Sequence, residues 1–159
     1  MASPIEATLR HILYLAYQLH NCEPRCVVVA ALLELGIPTK LVGFDLLKYA
    51  INICFDHPEL ITVREVFHEV RQRHAPGISL DQIDQAIRAA ITEAWICRDD
   101  AVWQCYFPQV MSQGMKKPTN AEFITQLAKL LELWDGCGRA AFHYGYSLHQ
   151  NEQYIEDTL

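Results

Sequence analysis

At 159 residues the chain is one domain, or one domain with helical additions, and is long enough to bury a core. Apolar residues make up 51% and no low-complexity tract occurs, which excludes a disordered protein. A net charge of -6 excludes a generic nucleic-acid coat, so any DNA contact must come from a local basic patch on an acidic body.

The predicted elements are all helical. Ser3-Pro4-Ile5-Glu6, Thr62-Val63-Arg64-Glu65, Ser79-Leu80-Asp81-Gln82 and Thr119-Asn120-Ala121-Glu122 each have the form of a capping box, and each precedes an apolar periodic run. The first predicted helix spans about 4–20, with Ile5, Leu9, Ile12, Leu13 and Ala16 on one stripe; Asn21 and Pro24 end it. A second, about 26–35, is apolar nearly all round and is expected to be buried, with Cys26 a small core residue and Gly36 the C-cap. A third, about 44–55, turns Leu47, Ala50, Ile51 and Cys54 inward.

Residues 62–95 then read as two amphipathic helices joined by a turn at His74-Ala75-Pro76-Gly77. The first buries Val63, Val66, Phe67 and Val70; the second buries Ile83, Ile87, Ala90, Ile91 and Ala94, with Trp95 at its end. This is the pattern of a helix-turn-helix, in which one helix braces and the other enters a DNA groove. A short helix is expected within 99–110, and a last long one over 119–134 buries Phe123, Leu127, Leu130 and Leu131. The expected fold is all-α, a compact helical domain of about six to seven helices. No strand pattern or internal repeat appears.

Three segments, GIPTKLVGFDLLKYAI (36–51), AIRAAITEAW (86–95) and KKPTNAEFI (116–124), resemble the DNA-binding effector domain of the stage-zero sporulation response regulator, the master transcription factor of endospore-forming bacteria. The last is the most specific, because a Lys-x-Pro-Thr-Asn-x-Glu-Phe run has no generic helical reason to recur. The resemblance covers 26–134 and implies an all-α domain whose recognition helix spans about 79–97. In that family the domain follows a phosphorylatable receiver. Here the resemblance is flanked by an added helix (1–25) and an acidic, aromatic tail (135–159), so phosphorylation within this chain is not expected. Residues 26–134 carry ten Lys or Arg against thirteen Asp or Glu.

On the recognition helix Asp81, Gln82, Asp84, Gln85, Arg88, Ala89 and Thr92 are expected to point outward. Gln82 and Gln85 suit adenine, Arg88 a guanine or a phosphate, and Asp84 a cytosine amine. By the resemblance, the family carries Arg at the positions of Gln82 and Gln85, Glu at Asp84 and His at Ala89, and keeps Arg88. Two positive charges are thus missing, which weakens binding, flattens its salt dependence and shifts its base preference. Lys116 and Lys117, just before a capped helix start, form a phosphate seat. Arg64, Arg71 and Arg73 are available to flank a backbone, although Arg73 is placed to pair with Glu69. The candidate DNA contacts are therefore Gln82, Asp84, Gln85, Arg88, Lys116 and Lys117.

No catalytic pair or Gly-rich phosphate loop is visible, and the chain is not read as an enzyme. His20, Cys22 and Cys26 have zinc-compatible spacing, but no metal or cofactor is expected. The six cysteines, without an export leader, fit reduced thiols in the cytoplasm, and no apolar stretch spans a bilayer. Two functions stay open: a DNA-binding transcriptional regulator acting on double-stranded DNA with altered preference, or a protein-interaction module that kept the fold and lost DNA readout. In either case residues 4–20 or the tail offer a surface for a second copy or a protein partner.

Overall fold

Local chemistry starts and stops most of the helices. In the computed structural model, which describes residues 10–11 and 23–138, seven α-helices and one π-helical turn follow one another from residue 24. Helix α1 (Pro24–Leu35) begins with proline at a position where the missing N–H costs nothing. It ends where Gly36 takes φ 84° and the amides of Gly36 and Ile37 bond back to the carbonyls of Leu33 (3.1 Å) and Leu32 (3.0 Å). Those two bonds form a Schellman ending, which needs a left-handed residue.

Helix α2 (Val42–Asp56) is the hub and touches α1, α3 (Val63–His74), α4 (Leu80–Ile96) and α7 (Asn120–Leu133). The capping boxes at Thr62 and Ser79 are complete: each hydroxyl accepts from the amide three residues on, at 3.2 Å, and that residue's side chain accepts from the cap amide. At Thr119 the hydroxyl accepts from the Glu122 amide at 3.1 Å. The region expected to hold one short helix holds two, α5 (Asp100–Tyr106) and α6 (Pro108–Ser112), because Pro108 cannot continue α5 and instead starts α6. A π-helical turn, Trp134–Gly138, extends α7.

The core follows the apolar periodicity in α2, α3, α4 and α7. Leu47, Ala50, Ile51, Val66, Phe67, Val70, Ile83, Ile87, Ala90, Ile91, Ala94, Phe123, Leu127 and Leu131 are all buried. Val63, Cys54 and Leu130 are half-buried at its edge. Helix α1 departs from expectation. Cys26 is exposed and Leu33 is 53% exposed, because Val27, Val28, Ala31, Leu32 and Leu35 take the single face that meets the hub. Trp103, fully buried, closes the other end by stacking with Phe107 at 5.2 Å and donating its indole N–H to the Leu35 carbonyl at 3.2 Å.

Of the expected helix over 4–20, only Arg10 and His11 fall within the described residues, and both are helical. His11 Nε2 lies 3.0 Å from Glu34, and its ring meets Tyr106 edge-on at 4.8 Å. The tail beyond 138 lies outside the described residues. No helix among those described is long and apolar enough to cross a membrane.

Helix α4 lies against α2 at a point where no side chain fits. A Cβ on Gly43 would run into the Ala86 carbonyl oxygen and stand 2.6 Å from the Ala90 Cβ. Gly43→Ala is therefore expected to lower stability by about 1–3 kcal/mol, the usual cost of overpacking, seen as a reduced urea midpoint with an unchanged slope.

Candidate nucleic-acid interface

The helix-turn-helix is formed by α3 and α4 with residues 75–79 between them. Ala75 accepts the end of α3 by donating to the Arg71 carbonyl at 3.2 Å, and Ile78 N–H closes the turn on the Ala75 carbonyl at 3.3 Å. The buried stripe of α4 (Ile83, Ile87, Ala90, Ile91, Ala94) leaves Asp81, Gln82, Gln85, Arg88 and Ala89 exposed and Asp84 and Thr92 half-exposed.

The loop before α7 is tied to this helix residue by residue. Lys117 Nζ donates to Thr92 Oγ1 at 2.8 Å, and the Thr92 hydroxyl donates in turn to the Arg88 carbonyl at 2.8 Å. Pro118 is buried, and Thr119 caps α7. The Asn120 amide group, almost fully buried, donates to both the Asp84 carbonyl and Asp84 Oδ1, each at 2.9 Å. The other carboxylate oxygen of Asp84 receives Arg88 at 2.6 Å. Asp84 is thus held from two sides. Upstream, Gly114 and Met115 take successive positive φ values of 92° and 50°, which bends the chain so that Lys116 and Lys117 face α4. Met115 carries a side chain in a region that glycine prefers, a local cost offset by its amide bond to the Val110 carbonyl at 3.1 Å.

Of the six candidate contacts, Asp84, Arg88, Lys116 and Lys117 line one open groove, together with Arg64 from α3 and Asp81. Four cations therefore face two carboxylates. Gln82 and Gln85 stand on the ridge beside the groove. The Gln82 carbonyl oxygen is engaged by the Ser79 amide at 2.8 Å, while the Gln85 amide has no hydrogen-bond partner among the described residues. Arg73 pairs with Glu69 at 3.0 Å, as the spacing suggested. Helical spacing places Thr92 outward but gives no sign of its bond to Lys117, and Asn120 was not expected in the site. The Ser-x-x-Gln box was the signal that Gln82 has a second task.

An exposed polar ridge on the second helix of such a pair, rimmed by basic side chains, defines the helix-turn-helix class of DNA-binding domains. Within that class, the family described as sporulation initiation factor Spo0A C terminal matches residues 28–131, and the chain belongs to it. The family is the DNA-binding effector domain of a sporulation regulator, a transcription-factor domain rather than an enzyme.

Removing the Asn120 amide leaves a half-buried carboxylate short of a charge-assisted bond. Asn120→Ala is expected to destabilise the fold by about 1.5–3 kcal/mol in chemical denaturation. Thr92→Val, which removes both the Lys117 link and the hydroxyl's bond to the Arg88 carbonyl, should cost about 1–2 kcal/mol.

Proposed function

We propose that the chain is a sequence-specific, cytoplasmic DNA-binding transcriptional regulator whose base preference departs from that of its family. Four cations, Arg64, Arg88, Lys116 and Lys117, converging on one groove beside the open ridge of α4, carry this reading. Helix α4 enters the major groove of double-stranded DNA. Gln85, with its amide oxygen and nitrogen both unengaged, makes the bidentate contact to adenine. Gln82 contributes only its amide N–H donors, since its carbonyl oxygen caps the helix. Arg88 reaches a guanine or a phosphate from a pose set by Asp84, and Asp84 acts mainly through that pose because Asn120 and Arg88 occupy its oxygens. Lys116, exposed, and Lys117, anchored to Thr92, hold backbone phosphate at the start of α7.

The Arg88–Asp84 ion pair also favours a second reading, a protein-interaction module of the same fold. The one arginine kept on the ridge is partly neutralised within its own helix, on a chain of net charge -6. Titration of a random duplex pool at low and moderate salt separates the two. DNA binding requires salt-sensitive association with an enriched sequence, and its absence at low salt leaves only the interaction module.

Three substitutions sharpen the test. Arg88→Ala is expected to weaken binding about tenfold or more, in line with ~1–3 kcal/mol for a specific contact. Gln85→Arg should tighten it and steepen the salt slope by about 0.9. Asp84→Asn keeps an acceptor for Asn120 while removing the carboxylate charge, and is also expected to tighten binding in the same duplex titration.

A further inference from the structure

A second concentration of positive charge lies on the far side of α3 from the DNA groove. Its walls are Arg25 at the start of α1, Lys48, Tyr49 and Asn52 on α2, and Arg73 and His74 at the end of α3. Arg64, in the DNA groove, and Arg73, in this pocket, project from opposite sides of α3, because their separation is roughly two and a half turns. The two sites share no lining residue. The pocket, about 510 Å³, falls within the size range of small-molecule sites.

The charges in it are only partly spent. Lys48 meets Asp45 at 3.3 Å and Arg73 meets Glu69 at 3.0 Å through Nε, which leaves both terminal nitrogens of its guanidinium. Arg25 has no ion-pair partner among the described residues. Asp56 is the one carboxylate in the lining, with Glu59 acting on Arg73 from outside it. The Tyr49 and His74 rings stack at 3.9 Å and 6°, with Lys48 Nζ 4.9 Å from the Tyr49 ring centre. Burial, and then Arg73, Lys48 and Arg25, hold the His74 imidazole below its ordinary pKa. All three cations therefore act on one spot, and the ring stays uncharged at neutral pH with an N–H to donate.

We propose that this pocket binds a small phosphate-bearing ligand, its phosphoryl oxygens held by Arg25, Lys48 and Arg73 and the rest of the molecule set against Tyr49, His74 and Asn52. A monocarboxylate is satisfied by a single arginine fork, whereas three cations converging from three helices suit the several oxygens and the greater charge of a phosphoryl group. A free ligand is favoured over the DNA backbone because the pocket faces away from the groove that α4 enters. The inference does not depend on whether DNA is bound.

The test follows the His74 ring proton by NMR as pH is varied, with and without pyrophosphate, ionic strength being held constant with chloride. The resonance is assigned by its loss in His74→Gln. Saturable binding of pyrophosphate should raise the His74 pKa, since an anion offsets the three cations, and orthophosphate should do so more weakly. Arg25→Gln and Lys48→Gln change side chains at the pocket rim, and a wild-type urea midpoint checks that each folds. Each is expected to weaken pyrophosphate binding about tenfold, the worth of one charge-assisted bond. No response of His74 to pyrophosphate, or an equal response to chloride alone, overturns the proposal. So does a duplex titration in which Arg25→Gln flattens the salt slope, because that outcome assigns the pocket to the DNA backbone.

Discussion

The Asn120 side chain lies between α7 and α4 and donates both to the backbone and to the carboxylate of Asp84, and what α4 presents on its outward face depends on that contact. It is nearly dry, so its bonds are worth more than they would be on the surface, and breaking them leaves polar groups with no water to turn to. Eight residues further along α4, about 12 Å at the helical rise, Lys117 repeats the attachment at Thr92. Between these points Pro118 is buried and Thr119 starts the next helix. Four consecutive residues, Lys117 to Asn120, thus each have a separate tertiary or capping role. A segment that looks arbitrary as helix chemistry is the strap that fixes α4.

The strap also explains why the electrostatics of the ridge cannot be judged by counting charges. Asp84 and Arg88 form one unit with Asn120, so the carboxylate is not a free repulsive charge and the arginine is not a free cation. Lys117 keeps its charge but has given up its freedom. Among the described residues, the groove's cations without a bonded partner are Lys116 and Arg64, and Gln85 stands beside the groove with its amide unengaged.

Much of this fold was legible in the sequence, for identifiable reasons. Helices α3 and α4 have a clean apolar period and complete capping boxes, two local signals that agree. Gly36 marked the end of α1 because only a left-handed residue closes that turn easily. The burial of α1 was less legible: a helix apolar on every side has no period from which to choose a face, and Cys26 fell on the wrong one. Trp103 and Tyr106 sit in a helix too short to show a period, and Phe107 joins two such helices, although all three close the core. At the candidate interface, the outward residues followed from helical spacing alone. Their partners did not, since Asn120 lies 36 positions from Asp84 and Lys117 lies 25 from Thr92. The basic pocket was equally hidden, because Arg25, Lys48 and Arg73 come from three different helices.

Gly43 bears on how this fold can change over time. Helix α4 rests against backbone at that point, with Ala86 and Ala90 the nearest groups. The height of α4 above the hub is therefore set by the absence of an atom. Positions 43, 86 and 90 form a shim: enlarging any one lifts α4 unless another shrinks, and the strap at Asn120 resists the lift. Related sequences should accordingly vary at these three positions together or not at all, while the outward ridge, which bears no part of that contact, is free to vary.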